Sequence, residues 1–195
     1  MSEVFSAVIL AGGRSSRMGT EKALLPTADG RRLWERQRDV LKDAGAAEIF
    51  ISARPDQIWA RNAAGISAVV HDAEPDCGPL AGICAALGRA RESHLAVLAV
   101  DLPAMTPEWF EALKARCVAG CGVVGRRGSF FEPLAAIYPR AIFLRVQAAF
   151  AKKELSLQTM LTGAMRDGSM RERAIAVEEM TWFRNWNDSR VSENR

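Results

Sequence analysis

The chain has 195 residues and a formal net charge of +3, and 49% of its residues are hydrophobic. A chain of this length buries about 70% of its unfolded surface, so we expect one domain over residues 1–195. The high hydrophobic content and the nearly balanced charge exclude a disordered chain and a polybasic nucleic-acid binder. The 26 basic residues are scattered, which favours a small-molecule partner.

The sequence gives no sign of a membrane or secretory address. No apolar run approaches the roughly 20 residues needed to span a bilayer. The first residues, MSEVFSAVIL, have no basic region or cleavage signature of a signal peptide. We therefore expect a cytoplasmic protein that binds no membrane. The cysteines form no CxxC pair and are expected to be reduced thiols, mostly packed as small apolar groups; they are Cys77, Cys84, Cys117 and Cys121.

Short aliphatic runs alternate with helical patterns along the first half of the chain. Strands are predicted at 4–10, 48–52, 66–71 and 94–100. Helices are predicted at 33–44, 56–64 and 78–92. The run HLAVLAV at 94–100 is apolar almost throughout, as expected of a parallel strand covered on both faces.

The alternation continues less regularly after residue 105. Helices are predicted at 106–117, 139–151 and 156–162, and strands at 120–125, 129–138 and 173–178. The charged segment RDGSMRERA, residues 166–174, is predicted to be a loop. Alternating strands and helices are typical of an α/β fold built on right-handed crossovers.

Two polar segments follow predicted strands, namely the glycine loop AGGRSSRMG at 11–19 and Asp101. In open α/β sheets, ligands bind outside the carboxyl ends of the strands, where the strand order reverses. In a doubly wound order the first and fourth strands are neighbours. We therefore expect the glycine loop and Asp101 to face each other across one site.

The glycine loop has the chemistry of an anion site. Gly12 and Gly13 let the backbone turn and present N–H groups to an anion. Arg14, Arg17 and Lys22 add positive charge suited to phosphate oxygens. The spacing matches neither the P-loop nor GxGxxG, so the loop alone is also compatible with an ordinary surface turn.

Asp101 follows a buried strand, and its carboxylate is expected to emerge into a cleft. Magnesium prefers one or two carboxylates together with substrate phosphates, which favours Asp101 as a metal ligand. The alternative, that Asp101 caps the next helix, is weaker because Thr106 is better placed. Asp72 follows the third predicted strand and is expected at the same edge of the sheet. There it could contact a sugar or a metal, and helix capping or simple solvation is an equally good interpretation.

Six segments of the chain match a known family in order and in approximate spacing. They are LAGGRSSRMGTEKALL (10–25), GPLAGI (78–83), VDLPAM (100–105), EPLAAIY (132–138), SLQTML (156–161) and FRNWN (183–187). Through them the chain resembles the molybdenum cofactor guanylyltransferases over essentially its whole length. The family belongs to the nucleotidyltransferase superfamily. The resemblance implies a single Rossmann-like, three-layer α/β/α domain with a mostly parallel sheet.

The resemblance also implies the reaction and its participants. The family joins GMP from GTP to the phosphate of molybdenum-loaded molybdopterin and releases pyrophosphate, with Mg²⁺ as cofactor. Its implied partners are therefore GTP and molybdenum-molybdopterin, with transient contact to cofactor-delivery proteins. No nucleic acid is involved.

Site residues carry over from the family position by position. Nucleotide binding is implied for Leu10, Ala11, Gly12, Gly13, Lys22, Ser52, Asp72 and Asp101. Catalytic roles are implied for Arg17, Lys22 and Asp101, with Asp101 also the magnesium ligand. Asn185 and Asn187 resemble the asparagine pair on the pterin side. Glu132 and Trp186 are left without an assigned role.

The chain departs from the family pattern at three places. Glu21-Lys22 replaces the usual Asp-Lys and keeps the lysine. Ser52 stands where many members have asparagine. The tail NWNDSRV lacks the Thr-Pro that usually follows the second asparagine, Asn187, a change that affects the final turn.

Three other functions are alternatives to guanylyl transfer. Cytidylyltransferases acting on the same cofactor typically carry Leu-Ala-Ala-Gly, whereas this chain has Gly12 at the third position, which favours guanylyl transfer. Sugar-phosphate nucleotidyltransferases usually need a longer chain. A non-catalytic nucleotide-binding regulator is disfavoured by the presence of Arg17, Lys22 and Asp101. With only two histidines, the sequence offers no convincing Ser/His/Asp or Cys/His set.

Overall fold

The computed structural model describes residues 4–13, 21–71 and 78–185. Its strands are β1 (Phe5–Leu10), β2 (Ala46–Ser52), β3 (Ala68–Val70), β4 (His94–Ala99), β5 (Gly122–Arg127), β6 (Phe130–Pro139) and β7 (Met170–Ala174). Its α-helices are α1 (Leu33–Asp43), α2 (Pro79–Arg89), α3 (Pro107–Lys114), α4 (Phe143–Ala151) and α5 (Leu157–Arg166). Short 3₁₀ helices lie at Lys22–Leu24, Ile58–Asn62, Arg140–Ile142 and Val177–Phe183.

The strands form one sheet in the order β3-β2-β1-β4-β6-β5-β7. Strand β1 pairs in parallel with β2 and β4, and the β2–β3 and β5–β7 pairs are also parallel. Only β6 runs against its neighbours, β4 and β5, in the described part of the sheet. The predicted α/β fold with a mostly parallel sheet is confirmed, and so is the predicted adjacency of the first and fourth strands.

Helices cover both faces of the sheet and bury its central strand completely. Side chains alternate between the faces of a strand, so Leu98 of β4 belongs to the core under α1 and α3. Val97 belongs to the core under α2, α4 and α5. Burial on both faces explains why β4 is apolar almost throughout. The result is the expected three-layer domain.

Local chemistry explains where several helices begin. Glu35, in the first turn of α1, accepts a 2.7 Å hydrogen bond from the backbone N–H of Arg32, just before the helix. This contact satisfies one of the amides that a helix N-terminus leaves without an intrahelical partner. Helices α2 and α3 begin at Pro79 and Pro107, where the missing proline N–H costs nothing.

The region 166–178 corrects two sequence predictions. Helix α5 continues to Arg166, and the segment predicted as a loop contains β7 (Met170–Ala174). The strand predicted at 173–178 therefore begins and ends too late, since a 3₁₀ helix starts at Val177. Strand β7 lies at the sheet edge, pairs with β5 and buries only Met170 fully. Charged side chains are common on edge strands, and here they replace the apolar residues by which a strand is recognised in the sequence.

The structure also bears on the expectations about membrane helices and about cysteines. None of the helices in the described ranges is both long and apolar enough to cross a membrane. Cys84 and Cys121 are free thiols, as predicted, and Cys117 is partly buried; Cys77 lies outside the described residues.

Candidate active site

The glycine loop and Asp101 leave the sheet side by side. Leu10 is paired with Ala99 across the β1–β4 ladder. One residue further, the N–H of Val100 donates to the carbonyl oxygen of Leu10 at 3.1 Å. The chain then continues as Ala11 on one side and as Asp101 on the other. The described part of the glycine loop, residues 11–13, therefore begins beside Asp101, as the predicted strand order requires.

A lysine and an aspartate meet at this edge across 79 positions of sequence. Lys22 opens the first 3₁₀ helix, and its Nζ lies 3.2 Å from Oδ2 of Asp101. Their side chains are 24% and 28% exposed. A partly exposed ion pair contributes at most about 1 kcal/mol to folding stability. The pair therefore matters chiefly as a fixed cation beside a fixed anion that a ligand can reach.

The backbone around Asp101 is held by two side chains of α1. The buried Gln37 donates through Nε2 to the carbonyl oxygens of Leu102 at 2.7 Å and Val100 at 3.4 Å. These carbonyls flank Asp101 on both sides. Arg36 donates through Nε to the carbonyl of Pro103. Gln37 shares the buried face of α1 with Val40 and Leu41, and a polar residue at that spacing is a signal that could have indicated a second role.

The glycine loop is held from the side of β2. The N–H of Ala11 donates to the carbonyl of Ser52 at 2.9 Å, which extends the sheet by one bond. Arg54 Nη1 donates to the carbonyl oxygens of Gly12 and Gly13, each at 3.1 Å. Gln57 Nε2 donates to the carbonyl of Ala11, also at 3.1 Å. Sequence reasoning assigned no role to Arg54 or Gln57.

Helix α2 packs closely against the carboxyl ends of β1 and β2. A Cβ placed on Gly82 would lie 2.4 Å from Oγ of Ser52 and 3.0 Å from Cδ2 of Leu10. Ser52 is 3% exposed, so its hydroxyl has little room to retreat. The helix can approach the site this closely only because residue 82 is glycine. The predicted role of Ser52 in nucleotide binding stays a prediction.

We expect Gly82→Ala to lower the free energy of unfolding by about 1–3 kcal/mol, the usual cost of overpacking a core. Urea denaturation measures this change. Gly88→Ala is the matched control, because it makes the same substitution in α2 and meets only the Phe143 ring, at 3.3 Å. An alanine at 82 that unfolds at the same urea concentration as the wild type would contradict the close packing.

The β5–β6 hairpin reaches the same sheet edge from the other side. Strand β6 runs antiparallel to β4 with Ala135 opposite Leu98, so the residues that precede Ala135 lie towards Asp101. Among them, Glu132 forms a 2.7 Å ion pair with Arg127. Burial raises the pKa of Glu132, and the neighbouring guanidinium opposes this rise. The structure thus places this ion pair on the hairpin, towards the end of the sheet that carries the candidate site.

The remaining predicted site residues are divided between described and undescribed parts of the chain. Asn185 is exposed and follows the last 3₁₀ helix, Val177–Phe183. The predictions that fall outside the described residues are those for Arg14, Arg17, Asp72, Trp186 and Asn187.

Comparisons with known proteins give one consistent family. A model of the MobA-like NTP transferase domain matches residues 7–167. A relative from Opitutus terrae, named "Probable molybdenum cofactor guanylyltransferase", is 38% identical, over 95% of this chain and 92% of its own length. A molybdenum cofactor guanylyltransferase from Pseudomonas putida F1 is 35% identical, over 80% of this chain and 81% of its own.

Solved structures support the fold. A nucleotidyl transferase from Methanothermobacter matches with a TM-score of 0.77 at 17% identity, covering 100% of this chain and 98% of its own. Molybdopterin-guanine dinucleotide biosynthesis protein A from Archaeoglobus fulgidus matches with a TM-score of 0.73 at 20% identity, covering 96% and 99%. A Mycobacterium tuberculosis protein solved with manganese matches with a TM-score of 0.64 at 21% identity, covering 97% of each chain.

Proposed function

The chain belongs to the family of MobA-like NTP transferase domains, and we propose that it transfers GMP from GTP to the phosphate of molybdenum-loaded molybdopterin. The products are pyrophosphate and molybdopterin guanine dinucleotide cofactor. The observation that carries the proposal is the Lys22–Asp101 pair beside the glycine loop, at the edge where β1 and β4 end. The names of the relatives at 35–38% identity support it further.

The reaction requires positioning and charge stabilisation. An oxygen of the acceptor phosphate forms a bond to the α-phosphorus of GTP, and the bond from that phosphorus to the α,β-bridging oxygen breaks. The departing pyrophosphate takes the electron pair. This exchange needs no covalent enzyme intermediate, so the protein contributes alignment of the reacting atoms and neutralisation of their charge.

The described residues supply most of what this chemistry needs. The backbone amides of Gly12 and Gly13 are suited to the phosphate oxygens of the nucleotide. The Lys22 ammonium neutralises negative charge on the triphosphate, a role that we also assign to Arg17. Because Lys22 is held against Asp101, its charge is fixed before the nucleotide binds.

Asp101 fits a magnesium site shared with the nucleotide. It offers one carboxylate that is 28% exposed, and Mg²⁺ commonly combines one or two carboxylates with substrate phosphate oxygens and water. When bound there, Mg²⁺ would withdraw charge from the phosphate oxygens and favour departure of pyrophosphate. Gln37 and Arg36 keep the backbone at Asp101 in place for this role.

We expect the acceptor, molybdenum-molybdopterin, to approach on the side of the site that the nucleotide leaves free. Asn185 and Asn187 are the residues that we assign to the pterin, and Asp72 is assigned to the nucleotide. We infer that the enzyme works in the cytoplasm and that it meets cofactor-delivery proteins transiently, because its acceptor is a cofactor precursor.

Open space lies beside the described part of the glycine loop. Among the described residues, no atom lies within 4 Å of a Cβ placed on Gly13, and Gly13 is exposed. That space suits a ligand such as a nucleotide. The choice of guanine over cytosine rests on the family resemblance, since cytidylyltransferases acting on the same cofactor typically carry alanine where this chain has Gly12.

We expect GTP with Mg²⁺ to bind at least about 10-fold more tightly than CTP or ATP, a difference of about 1.4 kcal/mol in binding free energy. Isothermal titration calorimetry with the three nucleotides, each with and without Mg²⁺, measures it. Tighter binding of CTP would reassign the chain to cytidylyl transfer. Binding without turnover on molybdenum-molybdopterin would instead favour a regulator.

A further inference from the structure

We propose that Arg54 and Gln57 form a carbonyl clamp that orients the amides of the glycine loop towards the triphosphate. Arg54 is then a positioning residue for nucleotide binding, acting through the loop and not on the substrate. This inference rests on the proposed function, because it takes the ligand of the loop to be a nucleoside triphosphate.

The clamp holds three consecutive carbonyl groups. Gln57 takes the carbonyl of Ala11, and Arg54 takes those of Gly12 and Gly13, all at 3.1 Å. Gln57 is itself fixed, since it is 3% exposed and its Oε1 accepts the backbone N–H of Arg54 at 2.7 Å. The two clamp residues are thus joined to each other as well as to the loop.

The direction of the carbonyls fixes the direction of the amides. In a planar trans peptide, the carbonyl of one residue and the N–H of the next point in opposite directions. Holding the carbonyls of Ala11 and Gly12 therefore turns the N–H groups of Gly12 and Gly13 away from the clamp. Within the described ranges neither amide donates a hydrogen bond to the protein. Nothing in the described part of the chain therefore competes with an anion for these two amides.

Glycine makes this restraint necessary. Gly12 and Gly13 lack a Cβ, so each populates left-handed as readily as right-handed backbone conformations. Left to itself, such a loop would present its amides in many directions, and binding an anion would have to select one of them. The clamp makes that selection beforehand, and preorganisation of this kind increases affinity.

Arg54 also links the two ends of the segment that carries Arg17. Its Nη2 lies 3.7 Å from Oε1 of Glu21, the residue next to Lys22. One guanidinium therefore contacts the chain just before residue 14 and just after residue 20. The clamp couples the position of the glycine loop to that of the Lys22–Asp101 pair.

The charge of Arg54 is already matched inside the protein. Its Nε lies 3.1 Å from Oδ1 of Asp56, and its Nη2 lies 3.3 Å from Oδ2 of Asp56 and 3.7 Å from Oε1 of Glu21. A planar fork that spans two carbonyls and two carboxylates cannot be reproduced by the single ammonium of lysine. Geometry, more than positive charge, is therefore what Arg54 contributes.

Arg54→Lys and Arg54→Ala test this role against Arg61→Ala, an exposed arginine of the nearby 3₁₀ helix. We expect both Arg54 variants to raise the KM and Kd for GTP with Mg²⁺ by about 10-fold or more, with kcat reduced much less, as for lost ground-state binding. Millimolar guanidinium ion should restore part of the affinity of Arg54→Ala. Arg61→Ala should match the wild type throughout.

The outcomes separate the clamp from the proposed function. Arg54→Lys with wild-type KM and Kd would overturn the clamp, because charge alone would then suffice. If the wild type prefers CTP, the proposed function is wrong, and the same variants test the clamp on CTP. Wild-type protein that binds no nucleotide would overturn both. Should thermal unfolding show that Arg54→Ala does not fold, Gln57→Leu, which frees one carbonyl, must still weaken binding, or the clamp is wrong.

Discussion

Asp101→Asn is expected to lower the rate of pyrophosphate release by at least about 100-fold, the size of effect seen when a main electrostatic contact of a transition state is removed. Asparagine keeps the shape of the side chain but removes the negative charge that a divalent cation requires. The measurement is release of pyrophosphate from GTP in the presence of molybdenum-loaded molybdopterin, over a range of Mg²⁺ concentrations.

Asp39→Asn is the matched control for this substitution. Asp39 is also ion-paired, with Arg31 and Arg38, and its side chain is 26% exposed compared with 28% for Asp101. It lies on α1, and in the described residues its ion-pair partners are these two arginines and neither Lys22 nor Asp101. Both variants should unfold within a few degrees of the wild type. Unchanged turnover in Asp101→Asn would remove Asp101 from the mechanism.

Lys22→Met is expected to lower kcat/KM by about 100-fold, because it removes a fixed positive charge where negative charge gathers on the phosphates. Methionine has a similar length and keeps the apolar part of the side chain. Unlike the Arg54 variants, this one should lower kcat as well as raise KM, since the charge on the departing pyrophosphate increases during the reaction. Steady-state kinetics with varied GTP separate the two parameters.

The control for Lys22 is Lys42→Met, which removes an exposed lysine from the last turn of α1. Because solvent and salt screen an exposed charge, its loss should change kcat/KM by less than about twofold. Equal effects of the two substitutions would mean that Lys22 acts only through the net charge of the protein.

The central part of the fold could be predicted from the sequence because its pattern is simple. The apolar run of β4 and the glycine loop after β1 mark two strand ends, and a general rule of strand order brings them together. That rule correctly predicted that the loop would meet Asp101. Strand β7 was predicted too late in the chain because its exposed charges resemble a loop, and only its pairing with β5 identifies its true range.

The supporting residues of the site could not be predicted in the same way. Arg54, Gln57 and Gln37 act by donating to backbone carbonyls, and any residue type offers a carbonyl. The sequence therefore does not show which residues these side chains contact. Such contacts depend on the distance between segments, which periodicity and motif spacing do not give. Of the three, Gln37 alone carried a signal, as a polar residue on an otherwise apolar helix face.

The reversed direction of β6 has a consequence for how such an enzyme can change in evolution. The half of the candidate site that we assign to the nucleotide lies at the ends of parallel strands that are held by neighbours on both sides in the sheet. On the other side, the β5–β6 hairpin turns at residues 128 and 129 and exposes Phe130 to solvent. Surface loops tolerate insertions, so we expect insertions in that turn to leave the ends of β1 and β4 unchanged.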